Sequence, residues 1–314
     1  MTSAFVFPGQ GSQAVGMGKE LSDSSATARA VFEEVNDALD QNLSALMFDG
    51  PIEDLTLTFN AQPALMAASI AVVRVLEAEF DVKMADVAAY TAGHSLGEYS
   101  ALAAAGTLSL TDTAKLLKLR GEAMQRAVPV GVGAMAAIMG AEFSVVEEIA
   151  DESSGDQVCD AANDNADGQV VISGHKQAVE RAMELAKERG IKRAILLPVS
   201  APFHCSLMQP AADEMAEALA DATFNAPCVP IITNVSAKPQ NDPDTLRDML
   251  VEQITGRVRW RESVLKMGEL GVGNLVELGT GKVLSGLVRR INREITGLSL
   301  QTMADIEAYA KEIK

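Results

Sequence analysis

Gly93-His94-Ser95-Leu96-Gly97 has the spacing GxSxG. Small residues around a serine permit a tight turn, and between a strand and a helix such a turn lifts the serine oxygen clear of the sheet. The flanks supply that context: Val87 to Ala92 reads as a strand and Leu96 to Ala105 as a small-residue helix. Ser95 is therefore a candidate nucleophile. The N–H of Leu96, at the helix start, would face a developing oxyanion. A Gly-rich turn with Ser95 as a helix cap would leave the same pattern.

A serine nucleophile needs a base, and the chain has three histidines. His94 adjoins Ser95 and would be turned away by the elbow. His175 begins a helix and reads as solvated. His204, in Ser200-Ala201-Pro202-Phe203-His204-Cys205, follows a strand end, where sites form in open α/β sheets. It is the best base by elimination, with a satisfied histidine at a helix start as the alternative. Arg120 lies mid-helix among Leu116, Leu117 and Leu119, where a buried cation would need a partner; on the helix surface it would need none. Gly9-Gln10-Gly11-Ser12-Gln13-Ala14 formally fits the dinucleotide fingerprint. Pro8 intervenes, however, and the region of Glu33 and Glu34 reads as helix where an acid ending a second strand is required. A backbone-amide loop closing over the serine is the better use, with a plain turn as the alternative.

The elements that must position these groups alternate. Ala4 to Phe7 is a strand, and Ala26 to Leu39, Gln62 to Phe80 and Leu110 to Ala127 are helices. With the Val87 strand and the Leu96 helix, that alternation implies a parallel sheet covered on both faces. The middle differs. Strands at Gly133 to Gly140, Gln157 to Ala162, Gln169 to Ser173 and Lys192 to Val199 enclose helices at Ser144 to Ser153 and Lys176 to Arg189. That β-α-β-β-α-β order is the ferredoxin-like pattern, inserted over residues 128–197. The larger fold then resumes: helices Cys205 to Ala222, Pro243 to Ile254 and Trp260 to Leu270, strands Val229 to Asn234 and Asn274 to Leu278, and a helix to Ile291.

Taken together, the motifs resemble the malonyl-CoA:acyl carrier protein transacylases, the malonyl-loading enzymes of fatty acid synthesis. They are FVFPGQGSQ (Phe5 to Gln13), QPAL (Gln62 to Leu65), GHSLGEYSAL (Gly93 to Leu102), Arg120 in LLKLRGEAM, GQVVISG (Gly168 to Gly174), SAPFH (Ser200 to His204), NAP…P (Asn225 to Pro230), the Gln253 helix and GTGKVLSGLVRRI (Gly279 to Ile291). The resemblance implies an α/β fold: an α/β-hydrolase-like parallel-sheet core over 1–127 and 198–314, with a ferredoxin-like subdomain over 128–197. It implies malonyl transfer from malonyl-CoA to the phosphopantetheine thiol of acyl carrier protein, by a ping-pong route through a malonyl-serine. It assigns Ser95 as the acylated nucleophile and His204 as its base. It gives the oxyanion hole to the backbone N–H groups of Gln10 and Leu96, the malonyl carboxylate to Arg120, and the orientation of His204 to the backbone carbonyl of Gln253. Gln62 and Asn163 match positions lining the family's pocket, with Asn165 an alternative to Asn163. Phe203 matches a position where a bulky residue goes with malonyl over methylmalonyl. No cofactor or metal is implied. After Ile291 the chain departs from the family pattern: Leu298 to Lys314 reads as an extra strand and a charged amphipathic helix.

Composition bounds the alternatives. The 314 residues suggest about two domains or one large one. Cys159, Cys205 and Cys228 form no CxxC pair, which fits a reducing, cytoplasmic setting. The longest nearly apolar run, Pro63 to Val73, is short for a bilayer, and no signal core follows Met1. The net charge of −17 argues against nucleic acid or an anionic membrane as partner. Coenzyme A and an acidic carrier would both be repelled globally. Docking is expected at local cations: Lys187, Arg189, Lys192 and Arg193, or Lys282, Arg289 and Arg290. A serine hydrolase or thioesterase would share the elbow but normally carries an acid between its serine and histidine in chain order. A nucleotide-binding module on the Gly9 loop is the third reading.

Overall fold

The computed structural model describes residues 2–199 and 201–313; Met1, Ser200 of the SAPFH motif and Lys314 of the expected terminal helix lie outside them. Ten strands occur among the described residues: β1 (Thr2–Phe7), β2 (Ala88–Gly93), β3 (Gly133–Met139), β4 (Cys159–Ala166), β5 (Gln169–His175), β6 (Arg193–Leu196), β7 (Ile231–Ile232), β8 (Pro239–Gln240), β9 (Val272–Leu278) and β10 (Thr296–Leu300). They form a six-stranded sheet in the order β10-β9-β1-β2-β7-β8 and a four-stranded sheet in the order β4-β5-β3-β6. The larger sheet is parallel from β10 to β7, and β8 closes it antiparallel. The smaller sheet is antiparallel throughout.

The residues of β1 explain the layers. A strand covered on both faces has no polar side, so it reads as a continuous apolar run. Phe5 and Phe7 pack with the Thr58–Phe80 helix on one face, while Ala4 and Val6 pack with Trp260, Val264 and Leu287 on the other. The smaller sheet buries its apolar face against the Phe143–Ser154 and Lys176–Glu188 helices. Two links tie the smaller sheet to the segment around Val258 and to the Trp260–Glu269 helix that follows it. Asp164 N–H donates to Val258 O at 3.0 Å and Val258 N–H to Ala162 O at 2.8 Å, and the buried Asp164 carboxylate pairs with Arg261 at 3.0 Å.

The sequence reading omitted the short helices Lys19–Ser24, Leu43–Asp49, Ile52–Thr56 and Met84–Val87 and the strand β8, and four of the differences it left bear on the site. The Thr58–Phe80 helix begins a turn before Gln62 and carries Pro63 inside it. Its first turn is secured instead by burial and by Asn60, whose Nδ2 donates to Asp54 O at 2.9 Å. At 23 residues it is long and apolar enough to cross a membrane, but most of its residues are buried inside the fold. Asn163 to Asn165, polar enough to read as a turn, belongs to β4, with irregular pairing between Ala161 and Asn163 and between Asp164 and Ala166. The Cys205 helix starts as a short 3₁₀ turn, and its α-helical part begins at Gln209. The Val229 strand shrinks to Ile231–Ile232, because Asn234 leaves the ladder to bond the elbow.

That elbow joins β2 to the Leu96–Ala104 helix, and its glycines have measurable cause. A Cβ on Gly93 would lie 1.9 Å from the backbone of Gly97, and one on Gly97 would lie 2.3 Å from Phe7 O. Gly93→Ala should lower stability by about 3 kcal/mol in denaturant titration, since backbone rather than a flexible side chain must move. Gly286→Ala, at a helical position with open space around it, should be neutral or add up to about 1 kcal/mol.

Candidate active site

Ser95 holds φ 53° and ψ −111°, a left-handed conformation that a β-carbon disfavours. The neighbours that pin it are backbone and amide groups. Ser95 N–H donates to Asn234 Oδ1 at 2.7 Å, and Asn234 Nδ2 donates to Gly93 O at 2.6 Å. Gln253 Nε2 donates to Ser95 O at 3.0 Å. The strained turn is thereby bonded on both sides, and the side chain is presented to a pocket of about 290 Å³.

His204 reaches Ser95 from 109 residues along the chain. Its Nε2 is 2.7 Å from Ser95 Oγ, and its Nδ1 is 2.8 Å from Gln253 O and 3.2 Å from Gly256 O. Carbonyls only accept, so Nδ1 carries the proton and Nε2 is the bare acceptor facing the serine hydroxyl. Burial, and then the Arg120 charge, push the imidazole pKa down to about 3, against the two carbonyl bonds that raise it. His204 is thus neutral near pH 7, with Nε2 unprotonated and bonded to the serine hydroxyl.

Arg120 is 1% exposed. Nη1 donates to Gln62 Oε1 at 2.7 Å, and Nη2 donates to Gln253 Oε1 at 2.9 Å and to Ser95 Oγ at 3.2 Å. The Tyr99 ring lies 5.6 Å from the guanidinium carbon. Among the described residues no carboxylate stands within ion-pair distance of it. A buried cation bonded only to neutral acceptors keeps its attraction for an incoming anion.

The structure brings the expected residues together around this centre. Gln10, Gln62, Asn163, Asn165 and Phe203 line the pocket with Ser95, Arg120 and His204. Gln10 Oε1 accepts from Thr58 Oγ1 at 3.1 Å, and Gln62 Nε2 donates to the same hydroxyl at 2.9 Å. Leu96 is the first residue of its helix, where the N–H has no intrahelical acceptor. Gln253 stands behind His204, fully buried.

Of the other two histidines, His94 makes no bond to the serine, as read, and only the reading of His175 needs correction. His94 also lines the pocket, but its Nε2 donates to Asn165 Oδ1 at 2.8 Å rather than to the serine. His175 is half-buried and its Nδ1 accepts from Val158 N–H at 2.9 Å, so it braces β4 instead of standing in solvent. Sequence reasoning missed Asn234 and Glu98. Glu98 follows Ser95 by three positions and so shares its helix face, a spacing visible in the sequence. Asn234 carried no such signal.

The chain matches the acyl transferase domain family over residues 4–304. It is 48% identical over 297 residues to the malonyl CoA-acyl carrier protein transacylase of Escherichia coli (strain K12), covering 95% of each chain. It superposes on the crystal structure of the acyl-carrier-protein-S-malonyltransferase from Bartonella henselae with a TM-score of 0.97, at 55% identity and covering 100% and 99% of the two chains. It is also similar (41% identity, TM-score 0.95, covering 99% and 100%) to a malonyl-transacylase in complex with its type II PKS acyl-carrier protein.

The depressed His204 pKa sets a pH signature. Below about pH 6.5 the unfolded chain protonates this histidine and the folded chain does not, so folding stability is lost as pH falls toward the folded value. His204→Asn should therefore recover about 2 kcal/mol of the stability that the unsubstituted protein loses between pH 7 and pH 5, read by urea titration at each pH.

Proposed function

We infer that this chain, which belongs to the acyl transferase family and within it to the malonyl-CoA:acyl carrier protein transacylases, moves a malonyl group from coenzyme A to the phosphopantetheine thiol of acyl carrier protein for fatty acid synthesis. The observation that carries the site assignment is the pairing of Ser95 Oγ with His204 Nε2 at 2.7 Å beside a buried arginine that has no carboxylate partner among the described residues.

The chemistry runs in two balanced halves. Ser95 Oγ attacks the thioester carbon while its proton passes to His204 Nε2. The C–S bond breaks, and the imidazolium returns the proton to the departing coenzyme A sulfur. The carrier's thiol then gives its proton to Nε2 and attacks the malonyl ester, and Ser95 Oγ regains a proton as it leaves. In both tetrahedral states the oxyanion takes the N–H groups of Gln10 and Leu96. The backbone carbonyl of Gln253 holds the tautomer that this exchange needs. It stabilises an imidazolium less than a carboxylate would, which suits a thioester, since its thiolate leaves more readily than an amine.

Arg120 takes the malonyl carboxylate through two parallel N–H···O bonds, displacing weaker neutral contacts. Phe203, buried beside His204, crowds the space that an α-methyl would fill. Gln62 and Asn163 line the acyl end of the pocket. The parallel order β10-β9-β1-β2-β7 with its elbow supports reading 1–127 and 198–314 as an α/β-hydrolase-like core. The order β4-β5-β3-β6 with two helices on one face supports a ferredoxin-like subdomain over 128–197. For carrier docking, Arg189 is already paired with Glu148 and Glu152, and Arg290 with Gln169 and the Asp167 carbonyl. Lys192 and Arg193 are exposed and lead into the strand whose continuation, Leu197 to Val199, lines the pocket.

Mass spectrometry of Ser95→Ala after exposure to malonyl-CoA should find no malonyl adduct. In Arg120→Ala, kcat/KM for malonyl transfer should fall about 10²-fold while acetyl transfer falls far less. An adduct on the first variant overturns the nucleophile, and equal losses on the second overturn the carboxylate clamp. Free malonate released without carrier would instead make the chain a hydrolase.

A further inference from the structure

Glu98 is buried at 1% exposure behind the nucleophile, on the first turn of the Leu96–Ala104 helix. The mechanism above gives it no step. Its Oε2 accepts from Gln253 Nε2 at 2.7 Å and from Asn234 N–H at 3.1 Å. These two residues are also the ones that bond the elbow. Asn234 Oδ1 receives the Ser95 N–H, and Gln253 Nε2 reaches the Ser95 carbonyl.

We propose that Glu98 is a positioning residue for malonyl transfer: its carboxyl group fixes which way the Gln253 amide faces, and thereby holds Arg120 beside Ser95. Donor and acceptor count sets the orientation of that amide. An amide has an oxygen end and an NH₂ end. Glu98, as an acceptor, draws the NH₂ end of Gln253 to itself, so Oε1 is turned to Arg120 Nη2 at 2.9 Å. Reversed, the amide would face the guanidinium donor to donor. Gln62 Oε1 fixes Nη1, so these two amide oxygens set the guanidinium in place. The role rests on the reading of Arg120 as carboxylate clamp.

Charge supports the same residue. Arg120 is the charged group facing Glu98, from the Leu110–Ala127 helix; Tyr99 lies next to it on its own helix, and Gln253 and Asn234 face it from the other two segments as neutral groups. Burial raises the Glu98 pKa to about 7, against the Gln253 and Asn234 bonds and the Arg120 charge that lower it. Tyr99 is pushed up to about 12 by burial and does not titrate in that range. An ionised Glu98 opposes a second carboxylate near Arg120, so malonyl binding weakens as pH rises through 7.

The test compares malonyl and acetyl transfer from their coenzyme A thioesters, which cancels the titration of coenzyme A itself. Glu98→Ala should lower the malonyl-to-acetyl ratio of kcat/KM about tenfold or more, and Glu98→Gln, which keeps an acceptor oxygen, should recover most of it. In the unsubstituted protein that ratio should fall between about pH 6 and pH 8, and in Glu98→Gln it should be flat. A Glu98→Ala ratio equal to the unsubstituted one overturns the proposal. If that variant does not fold, a Glu98→Gln ratio that still falls with pH overturns it. Arg120→Ala, run alongside, separates the two ideas. Unequal malonyl and acetyl losses there with no effect at Glu98 sink only this role, and equal losses at Arg120 sink the clamp beneath it.

Discussion

A guanidinium sealed from water inside a protein loses several kcal/mol of solvation unless its N–H groups find acceptors. Arg120 is in that position, and most of the site follows from how its cost is met. Gln62 and Gln253 supply amide oxygens, Ser95 a hydroxyl, and Tyr99 a ring face, while Nε finds no partner among the described residues. A carboxylate within bonding distance would satisfy the cation more cheaply. It would also compete with any anionic substrate. Neutral acceptors keep the cation in place and leave most of its charge available.

The same cation shapes the catalytic pair. It stands close enough to His204 to disfavour a second positive charge, adding to burial in keeping the imidazole neutral. In the proposed reaction, proton transfer from Ser95 would form an imidazolium beside this cation, and the tetrahedral oxyanion and the malonyl carboxylate would offset it. Turnover would then depend on the acyl group carried.

The excess of acidic residues fits this arrangement without explaining it. A net charge of −17 repels an anionic partner such as coenzyme A at long range, but screening limits that repulsion to about 8 Å at physiological ionic strength. Inside the pocket, dielectric and geometry rather than net charge decide, and there one buried arginine outweighs a distant surplus of carboxylates.

Local residues determined most of the elements. The elbow follows from Gly93 and Gly97, because no other side chain fits against Gly97 and Phe7, and the Ala26–Leu39 and Leu110–Ala127 helices follow from their apolar period. The GxSxG spacing singled out Ser95 and the count of histidines singled out His204 as candidates, and resemblance proposed Arg120 as the clamp. What the chain could not declare locally were the long-range closures. Asn234 left a strand pattern to bond an elbow 139 residues away. Asn163 and Asn165 looked like a turn and became part of β4, facing the pocket. Glu98 was in plain view as an acid on a helix, but its meaning depends on Gln253, 155 residues on. Periodicity and turn chemistry act over a few residues, so they set strands, helices and the sharp bend. Whether a polar side chain is satisfied depends on which donors folding brings within 3 Å of it, and only the tertiary structure decides that.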